Sequence, residues 1–273
     1  MNEKIEYKVL ARKYRPQTFA DLIGQETLVQ ILTNAITTNR IANAYLLTGV
    51  RGVGKTTTAR LIAMSLNCEN KKDDSCEPCG TCESCKSIRS DHNLDVIEMD
   101  AASKTGVDDV REIIDNVKYK PVNCKFKIFI IDEVHMLSKS AFNALLKTLE
   151  EPPEHVKFIF ATTEVKKIPV TILSRCQRFD LKRVESKDLI QHLKKISELE
   201  KVKIDDDAIS LLVRAGDGSV RDSLSLLDQA IINTDTSVSA ETVANMLGLA
   251  DRGKIYELLG HIAKGQASES LDL

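Results

Sequence analysis

The sequence has 273 residues, of which 42% are apolar and 29% charged, and its formal net charge at pH 7 is −2. This length suffices for two packed domains, and the near-neutral charge excludes a polycationic protein, so any nucleic-acid contact must come from a local basic surface. The first residues, 1–6, lack the apolar core of a signal peptide and no apolar run reaches membrane-spanning length, which predicts a cytoplasmic protein without membrane contact.

The amino-terminal part precedes the first strand of the predicted fold. Residues 7–24 combine a basic cluster with Pro16, which predicts a basic loop that cannot be one continuous helix. Apolar residues recur at three- and four-residue steps through 25–39, which predicts a helix with one buried face. Residues 44–48 are apolar and of strand length.

The next segment matches a nucleotide-binding pattern, in which two glycines separated by four residues are followed by Lys and Thr. It lies between the strand at 44–48 and a helix predicted over 57–66, so its backbone N–H groups and the helix N-terminus would face a phosphate. Lys55 is predicted to bridge the terminal phosphates, and the Thr56 hydroxyl to hold Mg²⁺. The predicted nucleotide-binding residues of this segment are Gly49, Val50, Arg51, Gly52, Val53, Gly54, Lys55, Thr56 and Thr57.

Five of the seven cysteines lie between residues 68 and 85, and in a cytosolic protein such a cluster indicates a metal. The two-residue gaps from Cys79 to Cys82 and Cys85 are typical of zinc. Because the longer segment after Cys68 lets the chain fold back, Cys68 is preferred as the fourth ligand and Cys76 is spare or an alternative. An iron–sulfur cluster is the rival to zinc. A set of protein thiolates predicts a structural role.

The middle of the chain alternates strands and helices. A strand over 95–100 and a helix over 107–117 enclose the loop 101–106, whose lysine and hydroxyls either hold a phosphate or form a plain capped loop. A helix is predicted over 140–150.

Residues 127–131 predict a strand buried on both faces, as in a parallel sheet. Asp132 and Glu133 stand at its carboxyl end, where ligands bind in open α/β sheets. Asp132 is predicted to complete the Mg²⁺ shell and Glu133 to take a proton from the attacking water. The alternative is that the pair caps the next helix.

A further buried strand is predicted over 156–161 and ends at Thr162-Thr163, where a hydroxyl either senses the γ-phosphate or simply ends the strand. Arg175 lies at a turn, and its spacing leaves three roles open: exposure to solvent, pairing with a local acid, or contact with a neighbouring subunit's nucleotide. Cys124 and Cys176 stand apart from the cluster. Such isolated cysteines are more often small buried apolar residues than metal ligands.

From residue 182 the strands cease, and helical patterns at 187–200, 205–214, 219–232 and 239–247 predict a small all-α second domain. Arg221 follows the helix N-cap Ser219. Since its charge opposes the helix dipole, it needs an anionic partner, and a bound phosphate would serve. The tail contains one more apolar helix, over 255–263.

Taken in order, these features closely resemble the gamma/tau family of bacterial DNA polymerase III clamp-loader subunits, which are AAA+ ATPases. The segments that carry the resemblance are residues 11–16 and 24–25, the phosphate loop 49–56, the cysteine cluster 68–85, Asp132-Glu133-Val134-His135, Ser174-Arg175-Cys176, and 218–222.

The resemblance implies an α/β architecture. An AAA+ P-loop NTPase domain with a parallel sheet covers 1–181 and contains an inserted zinc module at 68–85. A small all-α lid domain covers 182–247, and 248–273 begins a truncated helical collar domain. The expected cofactors are ATP, Mg²⁺ and structural Zn²⁺. The expected function is that of an ATPase motor that loads the sliding clamp onto primed DNA. The rivals are a related machine, such as a helicase loader or Holliday-junction motor, and a catalytically silent scaffold.

The resemblance also assigns roles to individual residues. Ala11, Arg15 and the Leu22-Ile23 pair are expected on the adenine side. Thr163 resembles a first sensor of the nucleotide, Arg221 a second sensor, and Arg175 an arginine finger that acts on the adjacent subunit's ATP. The family's zinc ligands correspond to Cys68, Cys79, Cys82 and Cys85, and Cys76 has no counterpart.

The partners implied by the resemblance are the delta and delta-prime subunits, the sliding clamp and primer–template DNA, which Lys104 and Thr105 would face. The full-length protein is expected to form a hetero-oligomer in the cytoplasm, associated with the nucleoid, and the 273-residue chain alone is expected to be a monomer.

Overall fold

The computed structural model describes residues 7–72, 75–233, 237–249 and 252–271. The polar stretch 1–6, on which the prediction of an amino terminus without a signal peptide rests, lies outside the described residues. Within those ranges, none of the helices combines the length and the apolar character that crossing a membrane requires.

A five-stranded parallel sheet forms the centre of the first part of the chain. Its strands are β1 (Ala44–Thr48), β2 (Val96–Asp100), β3 (Lys127–Asp132), β4 (Val156–Thr162) and β5 (Gln177–Asp180), and their order across the sheet is β2-β3-β4-β1-β5. In this order β1 lies between β4 and β5. Because the strands are parallel, the loops after β1, β3 and β4 share the carboxyl edge of the sheet. Ligands of open α/β sheets bind at such an edge.

The two faces of the sheet pack into two separate apolar layers, because side chains alternate along each strand. Tyr45 of β1 and Ile130 of β3 belong to the layer that includes α2, α3 and the cysteines. Leu46 and Ile131, one residue further along, belong to the layer that includes α5 and α6. The helices are α1 (Leu10–Lys13), α2 (Glu26–Thr37), α3 (Lys55–Asn67), α4 (Glu83–Arg89), α5 (Val107–Val117), α6 (Lys139–Glu150) and α7 (Val170–Leu173). We call the sheet with α2–α7 the sheet domain.

The predicted strands β1 to β4 and helices α2, α3, α5 and α6 are confirmed within two residues at each end. The region 7–24, predicted as a loop, contains α1 and a short 3₁₀ turn at Phe19–Asp21. Strand β5 and helix α4 were not predicted. Each is short. Phe179 is the one buried residue of β5, so no periodic pattern marks this strand.

The second part of the chain is the helical domain, which consists of α8 (Ser186–Leu199), α9 (Asp206–Gly216), α10 (Val220–Ile232) and α11 (Ala240–Met246). The four helices match the predicted positions. The domain also contains two very short parallel strands, β6 (Lys203–Ile204) and β7 (Ser237–Val238), where the loops before α9 and α11 run side by side. It is therefore not purely helical. Beyond it lie α12 (Arg252–Ala263) and α13 (Ala267–Leu271).

The amino-terminal segment packs on the helical domain, although the sheet domain separates the two in sequence. Leu10 is buried in the apolar core of the helical domain. The Tyr7 hydroxyl donates to Asp228 Oδ1 at 2.6 Å, and Tyr14 and Lys13 both donate to Glu200 Oε1, at 2.5 and 2.7 Å. We call residues 7–14 the amino-terminal strap.

A second connection joins the two domains after β5. The buried Gln25 side chain donates to the Lys182 carbonyl at 2.9 Å and accepts from the Lys182 N–H at 3.2 Å. The Val184 N–H donates to the carbonyl of Gly218 in the helical domain at 3.0 Å. The chain thus crosses between the domains before α2 and again at 181–185.

Candidate nucleotide-binding site

The phosphate loop, Gly49–Thr56, connects β1 to α3 at the carboxyl edge of the sheet. Gly49, Gly52 and Gly54 all have positive φ, and Gly54 caps α3 with φ +102°. In this conformation successive N–H groups can face one concave surface, which is the arrangement that holds a phosphate at a helix N-terminus. Val53 is buried beneath the loop, whereas Val50 and Arg51 are exposed.

Lys55 lies on the inner side of the phosphate loop and is only 6% exposed. Its Nζ donates to the carbonyls of Gly49 and Val50, both at 3.0 Å. Burial lowers the pKa of Lys55, while the charges of Glu133 and Asp132 oppose this shift. The ammonium group thus lies within the loop, where the charges of Glu133 and Asp132 act on it.

Thr56 and Asp132, the two predicted Mg²⁺ ligands, lie next to each other. The Thr56 hydroxyl donates to Asp132 Oδ2 at 2.5 Å, although 76 positions separate the residues. The Glu133 N–H donates to the other oxygen, Asp132 Oδ1, at 2.9 Å. One hydroxyl and one carboxylate within contact of each other form a hard oxygen donor set, which fits Mg²⁺.

The Glu133 carboxylate is held by residues at the end of β4. Glu133 has a left-handed backbone with φ +46°, which turns the chain sharply after β3. Its Oε2 accepts from the Thr163 N–H at 3.3 Å and from the Thr163 hydroxyl at 3.1 Å. The predicted sensor and the predicted base are therefore in direct contact.

His135 completes this network and had no role in the sequence-based assignment. The ring is almost fully buried, and its Nδ1 lies 3.0 Å from Thr162 Oγ1 and 3.3 Å from Glu133 Oε2. Its Nε2 lies 3.4 Å from Glu164 Oε1. The histidine was visible in the Asp132–His135 motif, but its partners are Thr162, at the end of β4, and Glu164, just after it, and local spacing does not reveal these contacts.

The helical domain closes one side of the phosphate loop. The Arg221 N–H donates to the Gly52 carbonyl at 3.2 Å, and the Ser219 side chain lies where a Gly52 side chain would point. Ser219 caps α10 by accepting from the Asp222 N–H. Arg221 is exposed, in the first turn of α10, and therefore lies beside the loop.

The structure divides the residues expected on the adenine side between the two domains, and Leu22 belongs to the sheet-domain core. Ala11 and Ile23 pack against the helical-domain core, whereas Arg15 and Thr57 line a small cavity beside α3. Burial lowers the pKa of Arg15, and the positive charges of Arg60 and Arg221 lower it further. An anion near Arg15 would offset this repulsion.

Arg60, which the sequence did not single out, forms a bidentate pair with Glu98 of β2. Its Nε and Nη2 donate to the two carboxylate oxygens at 2.7 and 2.9 Å. This pair joins α3 to the sheet next to the Arg15 cavity. A lone Arg on a helix and a lone Glu on a strand carry no local signal of such a pair.

Arg175 follows α7 and contacts residues of α6 and α7. It donates to Glu150 Oε1 at 2.5 Å, to the Thr171 carbonyl at 2.6 Å and to Ser174 Oγ at 3.4 Å. Its side chain is 31% exposed. Among the three open roles, the structure shows pairing with a local acid.

The cysteine module, residues 68–85, follows α3 directly. The sulfurs of Cys68, Cys79, Cys82 and Cys85 lie within 4.8 Å of one another. The Cys76 sulfur is outside this group and lies 2.9 Å from Thr33 Oγ1. The four sulfurs are thus the set that the sequence favoured, and Cys76 is the residue left aside.

The donor set of the cysteine module fits a zinc ion. Sulfurs bound tetrahedrally to Zn²⁺ at about 2.3 Å are about 3.8 Å apart, so the four side chains need only small movements. Backbone N–H groups of Thr81 and Cys82 donate to Cys79 Sγ and lower the pKa of Cys79 to about 6. Burial raises the pKa of Cys68 and of Cys85, and a bound cation would offset that penalty.

The remaining candidates are two loop residues and two cysteines outside the four-sulfur cluster. Lys104 and Thr105 are exposed on the loop after β2, where the backbone turn is capped by Asp100. Cys176 packs against the apolar layer with α5 and α6, and burial raises its pKa to about 12. Cys124 is half-buried beside Ser84 and Asn93.

Three family models match the chain in succession. Residues 24–185 match the model described as DNA polymerase III, delta subunit. Residues 188–236 match the ATPase lid domain of the DNA polymerase III clamp loader subunit, and residues 238–273 match domain III of the gamma and tau subunits.

Several curated relatives are similar along nearly the whole chain. The chain is 52% identical to the DNA polymerase III subunit tau/gamma of Haemophilus influenzae over 96% of its length and 38% of the relative's. It is 51% identical to subunit tau of Escherichia coli, over 93% of the chain and 39% of that protein. It is also 45% identical to subunit gamma of Buchnera aphidicola, over 98% of the chain and 73% of the relative. The chain thus spans less than half the length of the first two.

Solved structures of the Thermotoga maritima RuvB Holliday junction branch migration motor are also similar. One has a TM-score of 0.60 and 18% sequence identity, and the match covers 93% of this chain and 80% of that one. At this identity the likeness shows the fold alone. The fold is that of an AAA+ protein with a parallel sheet, a four-cysteine cluster and a helical lid. The family models and the identity along the chain place it in the gamma/tau family of DNA polymerase III clamp-loader subunits.

Proposed function

We propose that this chain is the ATP-binding and ATP-hydrolysing part of a clamp-loader motor, which places the sliding clamp on primed DNA. The observation that carries the proposal is the convergence of the phosphate loop and the end of β3. Lys55, the Thr56–Asp132 pair and Glu133 meet at one edge of the sheet. This is the set of groups that phosphoryl transfer from ATP to water requires.

The proposed roles follow from the contacts. The N–H groups of residues 49–57 would cradle the phosphates, and the Lys55 ammonium would neutralise their charge. Thr56 and Asp132 would hold Mg²⁺, which supplies further charge neutralisation. Glu133 would accept a proton from the attacking water, and its bonds to Thr163 fix its orientation.

The helical domain would contribute to the same nucleotide. Arg221 lies beside Gly52 and is the proposed second sensor of the γ-phosphate. Ala11 and Ile23, which pack against the helical-domain core, and Arg15, which lies beside α3, would surround the adenine side. Because the amino-terminal strap belongs to the helical domain, nucleotide binding would draw the two domains together.

Arg175 is proposed to act on the ATP of an adjacent subunit. Its pairing with Glu150 keeps the guanidinium at a partly exposed position, where a neighbouring subunit could reach it. This arrangement predicts that a single chain binds ATP but hydrolyses it slowly.

The proposed organisation assigns residues 1–181 to the ATPase domain, 182–247 to the lid and 248–273 to the start of a collar domain. Within the ATPase domain, Cys68, Cys79, Cys82 and Cys85 would hold a structural Zn²⁺. The proposed partners are the delta and delta-prime subunits, the sliding clamp and primer–template DNA, with the exposed Lys104 and Thr105 facing the DNA. The proposed location is the cytoplasm, at the nucleoid.

The test is to measure ATP binding and turnover over a range of protein concentrations, with and without partner subunits. Glu133→Gln is expected to bind ATP normally and to lose turnover by roughly 10²- to 10⁴-fold. Lys55→Ala is expected to lose binding, and the exposed Glu112→Gln on α5 serves as the control. Full turnover by Glu133→Gln would show that the chain is not the proposed motor.

A further inference from the structure

Glu77, within the cysteine module, contacts the short turn that precedes α2. Glu77 Oε2 accepts from the Phe19 N–H at 2.8 Å, and Glu77 Oε1 accepts from the Ala20 N–H at 2.9 Å. Phe19 and Ala20 begin the 3₁₀ turn Phe19–Asp21. The first N–H groups of such a turn have no acceptors within it, and the Glu77 carboxylate accepts their hydrogen bonds.

The turn has a cap of its own, but that cap does not reach these two N–H groups. Asp21 Oδ2 accepts from the Thr18 hydroxyl at 2.7 Å and from the Thr18 N–H at 3.1 Å. Glu77 therefore completes the cap, and its negative charge lies at the positive end of the turn. Phe19 is only 1% exposed and packs in the same layer as Cys82 and Cys85.

The turn fixes the position of two residues that flank the nucleotide site. Leu22, which follows it, lies 4.0 Å from the point where a Gly54 side chain would begin. Ile23 packs against the core of the helical domain. A movement of the turn would therefore alter both the side of the phosphate loop and the adenine side of the site.

Glu77 is itself held firmly to the sheet domain. Its neighbour Cys76 lies against Thr33 of α2, and the Cys76 carbonyl accepts from the Ser65 hydroxyl of α3. The same helix α3 begins with Lys55 and ends at Asn67, directly before Cys68, whose sulfur belongs to the cluster. The cysteine module is thus connected to the nucleotide site in two ways, directly along α3 and through the contact of Glu77 with the turn before Leu22.

We propose that Glu77 is a positioning residue through which the cysteine module sets the affinity of the site for ATP. This role rests on the proposed ATP binding, and it gives the cysteine module a function beyond holding its own loop. Glu77 does not touch the nucleotide. It acts by keeping Leu22 and Ile23 in place.

The experiment compares Glu77→Ala and Glu77→Gln with Glu83→Ala, an exposed carboxylate of the same module on α4. Binding of a fluorescent ATP analogue is expected to weaken about tenfold in Glu77→Ala, because two charge-assisted hydrogen bonds are lost. Glu77→Gln keeps an acceptor oxygen and should recover part of the affinity. Turnover at saturating ATP, measured with partner subunits, should stay unchanged, and so should zinc content.

Amide hydrogen exchange across residues 17–22 provides a second measurement, which does not depend on activity. Exchange at Phe19 and Ala20 is expected to accelerate in both Glu77 variants and not in Glu83→Ala. If Glu77→Ala does not fold, Glu77→Gln alone decides, and wild-type affinity with wild-type exchange overturns the proposal. Equal ATP affinity of Glu77→Ala and Glu83→Ala overturns it as well. A wild-type chain that binds no ATP would instead overturn the proposed function, and this inference with it.

Discussion

Arg175 and Glu150 form an ion pair across 2.5 Å, between the turn after α7 and the last residue of α6. The pair lies at the protein surface, where the arginine is 31% and the glutamate 50% exposed at the side chain. Exposed ion pairs contribute little to stability, because water screens both charges. Arg175 can therefore exchange Glu150 for a stronger anionic partner at small cost.

If Arg175 acts as the proposed arginine finger, Arg175→Ala is expected to leave ATP affinity unchanged and to reduce turnover in the assembled complex by about 10³-fold or more. Glu150→Gln removes only the local partner and should keep turnover. The measurement is steady-state hydrolysis while partner subunits are titrated. Rapid hydrolysis by the single chain, independent of its concentration, would show that Arg175 does not act between subunits.

Gly52→Ala is expected to weaken both stability and ATP binding. Gly52 has φ +77°, which costs an alanine about 1–2 kcal/mol, and the new Cβ would collide with Ser219. Gly248→Ala is the matched control, because Gly248 also has positive φ but nothing lies within 4 Å of its added Cβ. Thermal unfolding and ATP titration should show the larger loss in Gly52→Ala. Equal losses would mean that contact with the helical domain does not constrain the loop.

Cys85→Ser is expected to lose the bound metal and to lower the unfolding temperature, since Cys85 is fully buried within the four-sulfur cluster. Cys76→Ser should retain the metal, because its sulfur lies outside the cluster. Elemental analysis of the purified chains measures both effects. Iron in place of zinc, or loss of metal from Cys76→Ser, would contradict the assignment.

Glu200→Gln is expected to lower the unfolding temperature at neutral pH by about 2 °C. Hydrogen bonds from Lys13 and Tyr14 lower the pKa of Glu200 in the folded chain. The stabilisation is therefore complete above the usual glutamate pKa of about 4.3 and is lost as the pH falls through the lowered folded value. Unfolding temperatures of wild type and variant should converge toward acid pH. A difference that persists there would have another cause.

The parts of the site that the sequence predicted are local ones. The phosphate loop, the Asp132–Glu133 pair and the cysteine spacing each lie within a short segment whose chemistry is visible in the residue order. The helices of the helical domain were equally clear, because their apolar faces repeat at helical intervals.

The parts that were missed depend on contacts between distant segments. Glu77 lies 58 positions from Phe19, and Tyr7 lies 221 positions from Asp228. Neither pair has a pattern along the chain, since each depends on how the sheet and helices pack. His135 was visible within its motif, but its role became apparent only when β4 brought Thr162 beside it.

The amino-terminal strap gives the two domains a second connection. Residues 7–14 lie on the helical domain, the chain enters the sheet domain before α2, and it returns to the helical domain at 181–185. Two crossings limit how far the domains can separate. A rotation of the helical domain would shift Ser219 and Arg221 relative to Gly52, which both residues contact.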